Sequence, residues 1–250
     1  MHNTNSSATL TSLHSFQYYI TKFIFLFFIV GGLYMTIKIR DPWSALTHYI
    51  GMIASLIATT PLLVKTALSH NSTNFYAMAV FMLSMILLYA ASSTYHAFGI
   101  GVNLNRILKK WDHMMIPVLI AGTYTPICLI TLKDSIGPWL CALVWGTAII
   151  CILIKLFWIN CPKWFSSVIY IVMGWLCVLG MGNIIENLSI PAFLWLLAGG
   201  IFYTIGGVIY ALKLPIFNKK HQSFGSHEVF HLFVLAGSIC HYIVMYFYVC

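Results

Sequence analysis

Apolar runs long enough to cross a bilayer recur along the chain, at about 43–66, 75–98, 112–132, 137–158, 164–186, 190–213 and 226–250, parted by short polar breaks. A hydrocarbon core about 30 Å thick needs about 20 helical residues at about 1.5 Å each, so this pattern predicts seven transmembrane helices. The breaks hold turn-forming residues: Asn71-Ser72-Thr73-Asn74, Gly99 to Asn105, Lys133 to Pro138, Asn160-Cys161-Pro162, Pro191, and Pro215 to Gly225. None is long enough for a separate domain. An earlier run, Phe23 to Ile37, is only fifteen residues long. The expected organisation is therefore an N-terminal extension over 1–37, holding a marginal extra helix or lying ahead of a true start at Met35, and a seven-helix domain over 38–250.

Composition agrees with a membrane chain. Hydrophobic residues make up 60% and charged residues 7%, with a mean hydropathy of +0.89, which leaves too little polar surface to coat a water-soluble globule. The formal charge of +8 raises nucleic acid as a partner, but the basic residues stand singly or in pairs and form no extended basic face, so none is expected. They sort by side instead. Lys38, Arg40, Arg106, Lys109, Lys110, Lys155, Lys163, Lys213, Lys219 and Lys220 flank one side, against Lys65 and Lys133 on the other. The positive-inside rule then puts the start of the first core helix in the cytoplasm and the C-terminus outside the cell membrane. The seven cysteines fall mostly within apolar runs and form no C-x-x-C pair, which reads as core thiols.

Of only five acids, Asp41, Asp112 and Glu228 fall at helix ends on the expected cytoplasmic side, together with His48, His96, His113, His227 and His231. Charged groups within a span cost about 2.5–3.5 kcal/mol each, so this convergence points to function. His227 and His231, four residues apart, share one helix face. His96 closes the second helix with Ser92 one turn earlier, and Asp112 is expected to open the third beside them. Three neutral imidazoles would leave the fourth tetrahedral position of a zinc ion to water, the open coordination of catalytic sites. Interfacial histidines that merely cap helix ends would explain any one of these residues, but explain less well three beside an aspartate and a serine.

Other residues carry weaker signals. His227-Glu228-Val229-Phe230-His231 fits the H-E-x-x-H pattern of zinc proteases, with Glu228 as base, but the chain offers no second aspartate motif of intramembrane metalloproteases. His113 points about 100° away from Asp112, and His241 lies about 15 Å along the helix from His231, too far for the same ion. Both read as packing or interface residues, and His48 as a supporting residue at most. Pro126, in Gly122-Thr123-Tyr124-Thr125-Pro126, predicts a kink in the third helix. The triplets at Asn5, Asn71 and Asn187 match the N-glycosylation pattern and are assigned no role.

Five motifs carry a family resemblance: D-P-W-S-A-L-T-H at 41–48, S-S-T-Y-H at 92–96, D-H at 112–113, G-T-Y-T-P at 122–126 and S-H-E-V-F-H…G-S-x-x-H at 226–241. Over 38–250 the chain resembles hemolysin III proteins, the bacterial type within the progestin and adiponectin receptor family. The resemblance implies that His96, His227 and His231 ligate zinc, that Asp112 holds the zinc-bound water, and that Ser92 completes the polar shell. It also implies kinship to ceramidase-like hydrolases, with a membrane lipid amide as substrate. Asp112 is then the favoured general base and Ser92 a hydrogen-bonding group rather than a nucleophile. Related adiponectin receptors carry glutamine at the position of Glu228, which implies that this acid is not essential. The competing expectations are a zinc-stabilised receptor or sensor and a pore-forming hemolysin. A haem carrier fits poorly, because two histidines four residues apart on one helix cannot flank a porphyrin.

Overall fold

The computed structural model describes residues 39–212 and 224–250. Among these, seven helices are long and apolar enough to cross a membrane: α1 Pro42–Leu68, α2 Ser72–Ala97, α3 Val102–Thr131, α4 Gly137–Phe157, α5 Lys163–Asn187, α6 Ile190–Leu212 and α7 Ser226–Val249. There is no strand among the described residues. The run Phe23 to Ile37, Lys38 and most of the Pro215 to Gly225 break lie outside the described residues.

The helix ends match the hydropathy pattern closely, with the exception of α3, which begins at Val102 rather than near 112. Residues 102–111 include Asn105, Arg106, Lys109 and Lys110, too polar for hydrocarbon, yet they continue the helix past the apolar zone. This projection is tied to the α4–α5 turn: Lys110 Nζ donates to the Leu156 carbonyl and Lys109 Nζ to Asn160 Oδ1 at 3.3 Å. Asp112 therefore does not open the third helix. It lies almost three turns inside it, buried.

Among the described spans three change pitch, α3 and α7 in their last turns (Ile127–Thr131 and Met245–Val249) and α5 midway. The α-helical part of α3 ends at Pro126, and Ile127–Thr131 form a π-helical turn. Proline has no N–H to give to the preceding turn, which accounts for the change there. In α5 the α-helix runs Lys163–Gly174, a 3₁₀ stretch covers Trp175–Gly180, and α-helix resumes at Met181–Asn187. Tyr124 bridges this second break, its hydroxyl donating to the Gly174 carbonyl at 2.6 Å and accepting from the Cys177 N–H at 2.8 Å. No water is at hand in a bilayer to satisfy such freed backbone groups, so a side chain must do it.

The core centres on α2, whose Met78 and Phe81 are fully buried with Leu62 of α1, Leu119 of α3 and Val244 of α7. Outward residues such as Ile57 and Leu68 are about 70% exposed in the isolated chain, as a lipid-facing surface requires (70% and 72%). In lipid, close approach through small residues takes over from hydrophobic driving force. A Cβ on Gly199 of α6 would come within 2.3 Å of the His241 ring, and one on Gly237 of α7 within 2.9 Å of Tyr203, so both positions need glycine for α6 and α7 to pack.

The up-and-down course gathers the starts of α1, α3, α5 and α7 with the ends of α2 and α4 at one end of the bundle. The described residues Arg40, Arg106, Lys109, Lys110, Lys155 and Lys163 all belong to that end, and Lys65 and Lys133 to the other.

Candidate metal centre

At the basic end, the last turn of α2 brings His96 against the first turns of α7. The ring centroids of His96, His227 and His231 lie 4.9, 5.1 and 4.6 Å apart, and one ligand atom from each falls within 4.8 Å of the others. His96 Nε2 and His227 Nε2 face each other at 3.2 Å. Two nitrogens bound about 2.0–2.1 Å from one tetrahedral ion sit roughly 3.3 Å apart, so this pair already has the separation of co-ligands. Two lone pairs so placed repel unless a proton or a cation lies between them. The three histidines can hold a metal ion.

Helix α1 supports the cluster from outside. Asp41, just ahead of α1, has its Oδ2 2.9 Å from His96 Nδ1 and 2.9 Å from Arg40 Nε, while Arg40 lies over the Tyr95 ring at 4.0 Å. The hydrogen bond with His96, reinforced by Arg40, outweighs partial burial and holds the Asp41 carboxyl at about 2. Asp41 is thus an acceptor, His96 Nδ1 carries the proton, and Nε2 keeps its lone pair for the cluster. His48 stacks flat on His231, centroids 3.6 Å apart at 8°, and sits edge-on to Tyr89 at 5.1 Å. Both His48 nitrogens are buried without a hydrogen-bond partner.

The three histidines are not joined by Asp112 as a fourth member of the cluster. Asp112 lies buried with its Oδ2 3.1 Å from His113 Nδ1, and Ser92 is buried on the same cavity wall. The His113 ring thus swings back toward its neighbour despite the angle between them on the helix. Glu228 is otherwise occupied: it accepts from Ser44 Oγ and from the Gly225 N–H, each at 2.7 Å, capping α7 and tying it to α1. It does not line the cavity.

That cavity, of about 150 Å³, starts at His48, Ser92, Asp112, His227 and His231 and descends between α3, α5, α6 and α7. Its α3 wall, Asp112, Ile116, Leu119, Ile120 and Thr123, is one helical face spanning roughly 16 Å. A second space of about 80 Å³ shares Thr123, Tyr124, Gly174, Trp175, Gly200 and His241 with it and continues toward the far end. Polar groups reach deeper than the sequence implies. Tyr89 donates to Ser238 at 2.6 Å, Tyr203 lies 2.8 Å from the same hydroxyl, and His241 Nε2 meets the Leu196 carbonyl at 3.3 Å. His241 is part of this lower wall and not of the metal cluster.

Comparison with known proteins follows the same residues. The family described as haemolysin-III related matches residues 36–242. The chain belongs to the haemolysin-III related family. It is 36% identical over 206 residues to hemolysin-3 of Bacillus cereus, an alignment covering 82% of this chain and 90% of that one. A hemolysin-3 homolog of Bacillus subtilis is 34% identical over 205 residues, covering 82% and 92%. The adiponectin receptor protein of Drosophila melanogaster is 23% identical over 214 residues, covering 78% of this chain and 48% of the receptor. The matched stretch contains Asp41, Ser92, His96, Asp112, His227 and His231, so family membership and the metal-capable geometry concern the same part of the chain. It is a multi-pass membrane protein of this family.

Proposed function

We propose that this protein is a zinc-dependent hydrolase of a membrane lipid amide, ceramidase-like in its chemistry. The observation that carries the reading is the junction of a three-histidine cluster with a long, mainly apolar cavity at the basic end of the bundle, a position that suits a lipid with its headgroup at the membrane surface. A pocket of that kind suits a ligand with one polar end and an extended acyl chain.

His96, His227 and His231 would hold the zinc ion, whose Lewis acidity polarises an amide carbonyl and makes a nucleophile available from water near neutral pH. The protein's own groups divide the remaining work. Asp112, buried at the cavity mouth, takes the proton released as the carbonyl is attacked and returns it to the leaving amine. Ser92 hydrogen-bonds in the same polar layer, and the His113 ring packs against the Asp112 carboxylate at 3.1 Å. The cavity walls exclude water from the acyl chain and fix where the carbonyl stops. The segregation of basic residues supports a cytoplasmic placement of this end.

The distant likeness to an insect adiponectin receptor favours a second reading, a receptor or sensor in which zinc only stabilises the bundle. The cytolysis in the relatives' name would come to this chain through lipid damage rather than a pore, since the cavity is lined largely by apolar side chains. Purified chain incubated with long-chain ceramide in mixed micelles decides between hydrolase and receptor. Release of free fatty acid, lost by about 10²–10⁴-fold in Asp112→Asn with zinc retained, is expected of the hydrolase. A zinc-loaded protein that releases no fatty acid from any lipid amide overturns it.

A further inference from the structure

The motif D-P-W-S-A-L-T-H at 41–48 has no part in the reading above beyond its resemblance, yet the structure sets its polar side chains against the metal cluster from three directions. Asp41, Ser44, Thr47 and His48 recur every three or four residues, so they line one face of the first two turns of α1. Asp41 meets His96, Ser44 meets Glu228 beside His227, and Thr47 and His48 meet His231.

Hydrogen-bond directions follow from donor and acceptor counts. Thr47 Oγ1 lies 3.0 Å from the Trp43 carbonyl and 3.1 Å from that of Ser44, and since these are its shorter contacts we assign its single proton to one of them. Toward His231 Nδ1, at 3.4 Å, the hydroxyl can then only accept. Asp41 imposes the same on His96 at the shorter distance of 2.9 Å. In both rings Nδ1 is the protonated nitrogen and Nε2 the one with the free lone pair. The backbone adds rigidity: the Asp41 N–H donates to the His96 carbonyl at 3.0 Å and the Arg40 N–H to that of Ala97 at 3.3 Å.

We propose that Asp41 and Thr47 are positioning residues of the metal centre, fixing the tautomer and orientation of His96 and His231 so that their Nε2 atoms converge on one ion. The proposal rests on the metal reading above and deepens it. A ligating histidine gains basicity from a carboxylate on its far nitrogen, and loss of such a partner costs about 10- to 100-fold in metal affinity. Asp41, carrying charge and the shorter contact, has the larger effect. Thr47 has the smaller one, and the Ser44 side chain, which reaches only Glu228, has none on affinity.

The test is the zinc dissociation constant of the full-length protein in detergent, measured by competition with a chromophoric chelator. The visible spectrum of the cobalt-substituted protein reports ligand geometry, and the melting point of the metal-free form reports folding. Asp41→Asn keeps the shape and removes the charge, and is expected to weaken zinc binding by about 10- to 100-fold and alter the cobalt spectrum, while its metal-free form, with a lower melting point from the lost His96 and Arg40 bonds, stays folded at the temperature of the titration. Asp41→Glu restores part of the affinity, Thr47→Val loses a few-fold, and Ser44→Ala binds as the wild type. Unchanged affinity and cobalt spectrum in Asp41→Asn overturn the proposal. So does an affinity loss shared equally by Ser44→Ala, which would mean that α1 docking alone matters. A wild-type chain that binds neither zinc nor cobalt overturns the metal reading itself.

Discussion

Removal of the Glu228 carboxylate separates a structural acid from a catalytic one in the run His227-Glu228-Val229-Phe230-His231. Glu228 makes two hydrogen bonds of 2.7 Å, from Ser44 Oγ on α1 and from the Gly225 N–H at the start of α7. Bonds to a charged group contribute about 1.5–3 kcal/mol each, and the half-buried setting places these near the lower end. A negative charge in the first turn of a helix adds about 0.3–1 kcal/mol. Glu228→Ala, which loses all three contributions, is expected to cost about 3.5 kcal/mol. At roughly 2–4 °C per kcal/mol for a chain of this size, its melting point falls by roughly 7–14 °C. Glu228→Gln keeps one acceptor and loses about half as much. Thermal unfolding in detergent, followed by tryptophan fluorescence, measures the shift, and zinc content and fatty-acid release are assayed well below the transition. Both variants are expected to hold zinc and to turn over within a few-fold of wild type. A Glu228→Gln protein that melts normally and binds zinc, yet loses turnover by about 100-fold, would make Glu228 the base and refute the assignment to Asp112.

Three further outcomes follow from the geometry. Tyr124→Phe removes the hydroxyl that serves the Cys177 N–H and leaves the Gly174 carbonyl only the Cys177 thiol, at 3.8 Å, and is expected to cost about 1–2 kcal/mol, readable as a lower melting point; an unchanged value would mean that the break needs no bridge. A side chain added at Gly200 meets nothing within 4 Å at its Cβ and borders both cavity segments, so Gly200→Leu should fold normally while slowing hydrolysis of long-chain amides more than short ones; equal slowing would place the chain elsewhere. The Cys161 thiol is pushed up by burial, but hydrogen bonds from Lys155 at 3.0 Å and with Ser166 at 3.2 Å prevail and hold it below the ordinary thiol range. Burial pushes the Cys250 thiol up. Because the thiolate is the reacting form, alkylation of Cys161 should persist to lower pH than that of Cys250, and Lys155→Met should move its pH midpoint upward; a midpoint unmoved by that change would contradict the pairing.

The seven spans are legible because their apolar runs are bounded by residues that cannot stay in hydrocarbon. The start of α3 is not, because residues 102–111 form an amphipathic projection whose stability comes from contacts of Lys109 and Lys110 with the distant α4–α5 turn. The His227 and His231 pair is written in a four-residue spacing, and His96 joins it because the alternation of spans puts the end of the second helix at the same membrane face, with the motif resemblance in agreement. The Asp41 bond to His96 spans 55 positions and arises only when α1 packs on α2. The stack of His48 on His231 depends likewise on α1 meeting α7, and the Tyr89, Ser238 and Tyr203 network on α2, α6 and α7 meeting. The sequence also understates Tyr124, since a proline motif announces a kink in its own helix and says nothing of the break it bridges in another.

The central claim is that imidazoles from α2 and α7 share one ion. Elemental analysis of protein purified without added chelator tests it most directly. About one zinc per chain is expected in the wild type and in His241→Ala, and far less than one in His96→Ala, His227→Ala and His231→Ala. Zinc retained in full by His96→Ala, or absent from the wild type under conditions in which the protein is folded, would contradict the account.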